Sequence, residues 1–285
     1  MTDPDHTANG PDHRAWTDAQ AETTVEVDGH EVSMAYYDEG EGHPVVFLHG
    51  IPTWSFLWRR IAPPLADDVR TIVPDLVGYG NSDRRDGFDR SIRAQELAVA
   101  DLIDGLGLET VSLVAHDIGG GVALRYAAHE PDRVERLVLS NAVCYDSWPV
   151  EFVTTMGLPR TAEMAPDEFE AKLDFAFADG LHGDDADPEW LDGMKAPWLA
   201  EGGRRALARA AVATNTNHTT EIDYDAIDAD VLCLWGADDR MQPLSYGERL
   251  AADLGGEVVE LERAYHWVVE DRPEAYLEAC REFLG

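Results

Sequence analysis

Asp117 is the residue whose setting most clearly suggests chemistry. It follows the run Val111-Ser112-Leu113-Val114-Ala115-His116 and precedes Ile118 and the glycines Gly119, Gly120 and Gly121. The helix formers Val122-Ala123-Leu124-Arg125-Tyr126-Ala127-Ala128 come next. A buried strand that turns sharply into a helix leaves one residue exposed at the turn. The small flanks Ala115 and Gly119 suit a strained turn in which strand and helix approach closely. A carboxylate there is a poor nucleophile for acyl transfer, but it can displace a leaving group from saturated carbon and form an alkyl ester. The plainer alternative is that Asp117 only caps the helix. Two later positions carry complementary groups: the acidic pair Asp238-Asp239 after an apolar run, and His266 in a late loop. Taken singly, Asp239 reads as a turn residue and His266 as a loop histidine.

The elements that must position these groups follow from the hydrophobic pattern. Residues 23–27 and 30–37 are β-rich runs separated by Asp28-Gly29, a hairpin signal. Residues 45–48 are continuously apolar, as in a strand buried on both faces. Arg70–Pro74 is the next strand, and residues 91–106 form an amphipathic helix. Val134–Ser140, residues 231–235 and Glu257–Leu261 are further strands, with helices at 245–254 and Pro273–Leu284. Such alternation predicts a parallel sheet with helices on both faces. Between about 145 and 229 no strand pattern occurs, only helical stretches (167–181, 188–200, 204–213) broken by prolines. This insert predicts a helical cap, and its Trp148, Phe152, Phe169, Phe175, Phe177, Trp190 and Trp198 form cap core and an apolar roof. The expected division is a loose tail over 1–22, core over 23–145, cap over 146–228 and core again over 229–285. The glycines of Gly78-Tyr79-Gly80 suit a tight turn, since no phosphate-binding pattern follows, and Arg84, Arg85 and Arg90 read as solvated loop charges.

Composition bounds the rest. The 285 residues carry 22 basic against 56 acidic side chains, a net charge of −34, with only two lysines, Lys172 and Lys195. That balance speaks against nucleic acid and anionic membrane as partners. Because the acids are spread along the whole chain, they read as a solvated surface suited to high salt rather than a partner-binding tail. The opening residues 1–21 are polar, and no apolar run approaches a membrane span. Three cysteines in apolar settings, Cys144, Cys233 and Cys280, fit reduced thiols in the cytoplasm.

The arrangement around Asp117 resembles the nucleophile elbow of α/β-hydrolases, written G-x-S-x-G, with Asp117 in the serine slot. The loop His49-Gly50-Ile51-Pro52 resembles that family's His-Gly-x-Pro segment, which implies oxyanion-hole donors at the amides of Ile51 and Ile118. His49 at the strand end is assigned to loop packing. The family order of nucleophile, acid and histidine maps onto Asp117, Asp239 and His266; Gly236 places the acid at Asp239, with Asp238 as the fallback. The implied fold is the α/β-hydrolase fold with an inserted helical cap.

Within that fold, the stretch 50–59 resembles haloalkane dehalogenases, and Asn141-Ala142 with a later acid resembles their subgroup that carries the acid after strand seven. The resemblance implies an alkyl ester on Asp117, hydrolysed by water that His266 activates, with Asp239 fixing its tautomer. No metal or organic cofactor is required, and the partners are a small apolar organic substrate and water, in a monomer or small homo-oligomer. Dehalogenases commonly hold the halide with a Trp after the nucleophile and an Asn after His-Gly, where this chain has Ile118 and Ile51; fluoroacetate dehalogenases place an Arg there. Trp54, Trp148 or Trp198 would then have to supply the halide contact. The alternative, an epoxide hydrolase, needs a cap acid, for which Tyr145, Tyr224 and His218 are the candidates. A third reading is a ligand-binding relative without turnover.

The charge carries a direct expectation. Self-repulsion at −34 is screened over about 10 Å at 0.1 M salt, so the melting temperature should fall as KCl is lowered from molar to millimolar. A melting temperature that is flat or rises would exclude a salt-dependent surface.

Overall fold

The computed structural model describes residues 10–183 and 186–285. In chain order the elements are α1 (His13–Asp18), β1 (Ala21–Val27), β2 (His30–Glu39), β3 (Pro44–Leu48), α2 (Ala62–Leu65), β4 (Arg70–Pro74), α3 (Ile92–Gly105), β5 (Val111–His116), α4 (Ile118–His129) and β6 (Val134–Ser140). Then come α5 (Glu151–Met156), α6 (Pro159–Ala162), α7 (Pro166–Asp179), α8 (Pro188–Leu199), α9 (Gly203–Val212) and α10 (Asn217–Thr220). The chain closes with β7 (Asp230–Gly236), α11 (Leu244–Leu254), β8 (Glu257–Leu261), α12 (Val268–Asp271) and α13 (Pro273–Leu284).

The eight strands form one sheet in the order β1-β2-β4-β3-β5-β6-β7-β8. Strands β1 and β2 pair antiparallel, as do β2 and β4; every later pairing is parallel. The chain thus has the α/β-hydrolase fold. Every residue of β5 is buried, which its neighbours β3 and β6 and helices on both faces require. Because β3, β5, β6, β7 and β8 run the same way, their carboxyl ends open on one edge, where loops can assemble a site. Helices α5 to α10 all lie between β6 and β7. No helix is long and apolar enough to cross a membrane among the described residues.

Three expectations need correction. Residues 1–22 are not uniformly a loose tail, although residues 1–9 lie outside the described residues. Asp12 caps α1 by accepting from the amides of Arg14 and Ala15. Trp16 is 1% exposed, stacks on Tyr37 at 4.5 Å and donates its indole N–H to Ser55 Oγ at 2.9 Å. One large aromatic with distant partners therefore orders a short, polar helix. Arg90 is likewise not a solvated charge: it is buried and donates to the carbonyls of Arg84 and Arg85. Phe175 is not part of the cap core but 68% exposed.

Removing the Trp16 side chain should therefore cost about 3 kcal/mol, within the range for large aromatic truncations in a core. Urea unfolding of Trp16→Ala measures it, and a loss below about 0.5 kcal/mol would show the segment to be dispensable.

Candidate functional site

Asp117 occupies the turn between β5 and α4 with φ 53 and ψ −124. A positive φ is strained for a residue with a Cβ and persists only when surrounding contacts fix it. Those contacts are present: its N–H donates to the Ser140 carbonyl, while its own carbonyl accepts from Gly120 and Val143. The packing leaves no slack. A Cβ on Gly50 would collide with the Asp117 side chain, and one on Gly119 would meet the Leu48 carbonyl. The Asp117 carboxylate makes no capping bond to α4, which removes the helix-cap explanation. Instead Oδ1 accepts from the Ile51 N–H at 2.7 Å, and Oδ2 lies 3.6 Å from His266 Nε2.

His266, between β8 and α12, places its Nδ1 2.8 Å from Asp239 Oδ2. Asp239, just past the end of β7, also accepts from the Met241 N–H at 2.7 Å and from the Asn141 side-chain amide. Asn141 itself sits at φ 45 at the end of β6, and its Oδ1 accepts from the Gly236 N–H. Asp117, Asp239 and His266 are 4%, 6% and 2% exposed. Asp238, the fallback acid, lies instead 4.0 Å from His182.

Electrostatics follow from that enclosure. Burial alone would lower the His266 pKa, but the Asp239 charge and the bonds to Asp117 and Asp239 push it up to about 10. For Asp239, burial would raise the pKa; the imidazolium and the hydrogen bonds to His266, Asn141 and Met241 outweigh it and hold the group below the usual carboxylate value. His116, packed 4.8 Å from the His266 ring, is driven down to about 3 by burial and by the neighbouring imidazole, so it is neutral. His49 is likewise driven down to about 4 by burial. Its ring nitrogens engage the Gly50 carbonyl and the Leu76 N–H, a packing role.

Above Asp117 lies a small cavity of about 10 Å³, lined by Ile51, Val150, Phe152, Met241, Gln242 and Trp267 beside Asp117 and His266. Val150, Phe152 and Met241 also border an outer hollow of about 470 Å³ between the cap and the loop after β7. The expected pocket residues lie elsewhere, a second set of corrections. Trp54 donates its indole N–H to the Gly193 carbonyl and Trp198 donates to that of Pro52, so both lock the cap to the loop that carries Ile51. Tyr145 stacks on Tyr224 at 4.4 Å and donates to Asp253, while Tyr224 donates to the Thr219 carbonyl. His218 lies beside Asn215, and its carbonyl accepts from Arg125. Trp148 is buried with its indole N–H unpartnered among the described residues, and it does not line the cavity. Ile118 opens α4 directly after Asp117, among the amides that a helix start leaves free. Met241, Gln242 and Trp267 were not singled out by their sequence; their adjacency to Asp239 and His266 was the available signal. Among the described residues, no group of three or more His, Cys, Asp or Glu is placed to hold a metal.

Comparison with known proteins places this arrangement among relatives. Residues 45–279 match the sequence profile of the Alpha/beta hydrolase family. Haloalkane dehalogenase 2 of Mycobacterium tuberculosis is 29% identical over 88% of this chain and 91% of its own length. A soluble epoxide hydrolase of a Corynebacterium species is 27% identical over 88% of this chain and 93% of its own. Among solved structures, an α/β hydrolase fold protein from Burkholderia ambifaria superposes with a TM-score of 0.83 at 29% identity, covering 92% of this chain and all of that one.

The buried His266 ties stability to pH. Its folded value near 10 lies above the roughly 6.5 of an unfolded histidine, so its contribution is complete below about pH 6.5 and is lost as pH rises toward 10. Thermal unfolding across that window should show a falling melting temperature. In His266→Gln the slope should flatten; an unchanged slope would place the titrating group elsewhere.

Proposed function

The chain belongs to the alpha/beta hydrolase family, and from that premise we propose that it cleaves carbon–halogen bonds by way of an alkyl ester on Asp117, releasing alcohol and halide. The observation that carries this reading is the uncapped Asp117 carboxylate, with one oxygen on the Ile51 N–H and the other facing an imidazole that Asp239 orients.

Oδ1, fixed by Ile51, is set to become the oxyanion, which leaves Oδ2 to attack carbon in line and expel the leaving group. Esterification removes the Asp117 charge, one of the causes that raise the His266 pKa, and so returns the imidazole toward the range of a general base. A water then gives one proton to His266 and attacks the Asp117 carboxyl carbon. The tetrahedral oxyanion is held by the amides of Ile51 and Ile118, each worth on the order of 3 kcal/mol in comparable sites. Its collapse breaks the bond between the acyl carbon and the alkoxy oxygen, leaving the alkyl–oxygen bond intact, and the departing alkoxide takes the proton from His266.

Halide is favoured over epoxide by the committed tyrosines. Opening an epoxide generates an alkoxide that needs a proton donor, and the hydroxyls of Tyr145 and Tyr224 are bonded to Asp253 and Thr219 away from the cavity. Halide departs without a proton. Of Trp54, Trp148 and Trp198, only Trp148 keeps an uncommitted N–H among the described residues, and it does not line the cavity, so the halide contact falls to other groups. The substrate is a small apolar organic molecule, as the apolar lining Val150, Phe152, Met241 and Trp267 favours. The acidic surface and the three buried free thiols support a salt-rich, reducing cytoplasm as its setting.

Excess enzyme run for one turnover in heavy-oxygen water should give unlabelled alcohol and leave the label on the peptide containing Asp117. His266→Gln should alkylate without releasing product, so intact mass should rise by one alkyl group. Labelled alcohol in the first turnover, with no adduct on His266→Gln, would mean direct attack by water.

A further inference from the structure

Gln242 stands apart from every group the proposed reaction uses. It lies three residues beyond Asp239, is 1% exposed and lines the same small cavity as Asp117 and His266. Its backbone is pinned, since its carbonyl accepts from the Trp235 indole N–H at 2.7 Å. The side-chain Nε2 donates to the Ser147 carbonyl at 3.4 Å. The side-chain Oε1 is buried and has no hydrogen-bond partner among the described residues. An orphaned buried acceptor is costly, so its retention beside reactive groups asks for a donor that comes and goes.

The cavity limits what that donor is. At about 10 Å³ the empty cavity is of the order of a single water, and a buried water needs two to four polar partners. Its lining residues with polar side chains are Asp117, His266, Gln242 and Trp267, and the Trp267 indole N–H is taken by the Phe177 carbonyl. A water that attacks an ester carbonyl must direct a lone pair at carbon while both its hydrogens are engaged. His266 takes one hydrogen. The second needs an acceptor that is fixed and otherwise unused.

We infer that Gln242 is a further catalytic residue, whose Oε1 accepts the second hydrogen of the hydrolytic water and so aims its oxygen at the Asp117 ester. This rests on the aspartate-nucleophile reading given above. In the step, the water oxygen bonds to the Asp117 carboxyl carbon and one proton passes to His266 Nε2. The other hydrogen stays on oxygen, bonded to Gln242 Oε1. Formation of the ester uses no water, so Gln242 acts on the second half-reaction alone.

The test separates the two half-reactions. A bromoalkane that alkylates His266→Gln is mixed with wild type, Gln242→Met and Gln242→Glu, and the adduct is followed by quenched intact-mass measurement. Gln242→Met keeps the length of the side chain and removes the acceptor. It should form adduct at the wild-type rate and release alcohol on the order of 10- to 100-fold more slowly, the scale of a misplaced reactant. Gln242→Glu, which keeps an acceptor oxygen, should recover a substantial part of that loss. If Gln242→Met clears the adduct at the wild-type rate, the inference is overturned and the Asp117 ester stands. If both half-reactions slow equally, Gln242 only supports the loop and the inference is again overturned. If no bromoalkane or epoxide leaves an adduct on His266→Gln, the Asp117 reading fails and the role of Gln242 falls with it.

Discussion

His266 sits between two carboxylates in a site from which water is almost excluded, and most of the architecture exists to make that placement tolerable. A buried imidazolium alone would be expelled or neutralised. Here Asp239 and Asp117 lie on either side of it, and their own lone pairs are occupied by Ile51, Met241 and Asn141. Each partner comes from the carboxyl end of a different parallel strand, so the arrangement depends on the register of β3, β5, β6, β7 and β8 together. The left-handed turn at Asp117 is the local expression of the same constraint. It exposes one carboxylate at a place where Gly50 and Gly119 allow no side chain of their own.

Two buried arginines extend the constraint outward. Arg59, 2% exposed, forms a two-pronged bond to Glu270 in α12, four residues past His266, and lies 3.6 Å from Asp187 at the start of α8. One guanidinium thereby links the loop that carries Ile51, the loop that carries His266 and the cap. Arg125, on the helix that begins after Asp117, reaches Glu96 in α3 and both Glu221 and the His218 carbonyl at the end of the cap. A buried ion pair adds little net stability over an apolar replacement, but losing one partner strands a charge. These networks therefore set the geometry of the cap more than they strengthen the fold.

The strands and the meeting of Asp117, Asp239 and His266 were legible because each is written in local sequence. Ala115, Gly119 and the run of β5 mark the turn at Asp117, and Gly236 sets the count to Asp239. The pocket was not legible, because what lines it depends on contacts between residues far apart in the chain. The Trp54 indole reaches a carbonyl 139 residues away, and the Trp198 indole one 146 residues away. An aromatic in a helical insert has no local mark that tells a clamp from a lining residue. Trp16 illustrates the same point at the other end of the chain: its helix is short and polar, and only Tyr37 and Ser55 give it a reason to form.

Val150, Phe152 and Met241 form a thin partition, with about 470 Å³ on one side and about 10 Å³ on the other. A molecule resting in the outer hollow has not yet met Asp117, and whatever passes must first displace side chains that have no part in bond making. If the outer hollow is the way in, discrimination among small molecules lies upstream of chemistry, in how readily these side chains part for a given girth, and viscosity of the solvent and stiffness of the cap then bear on throughput.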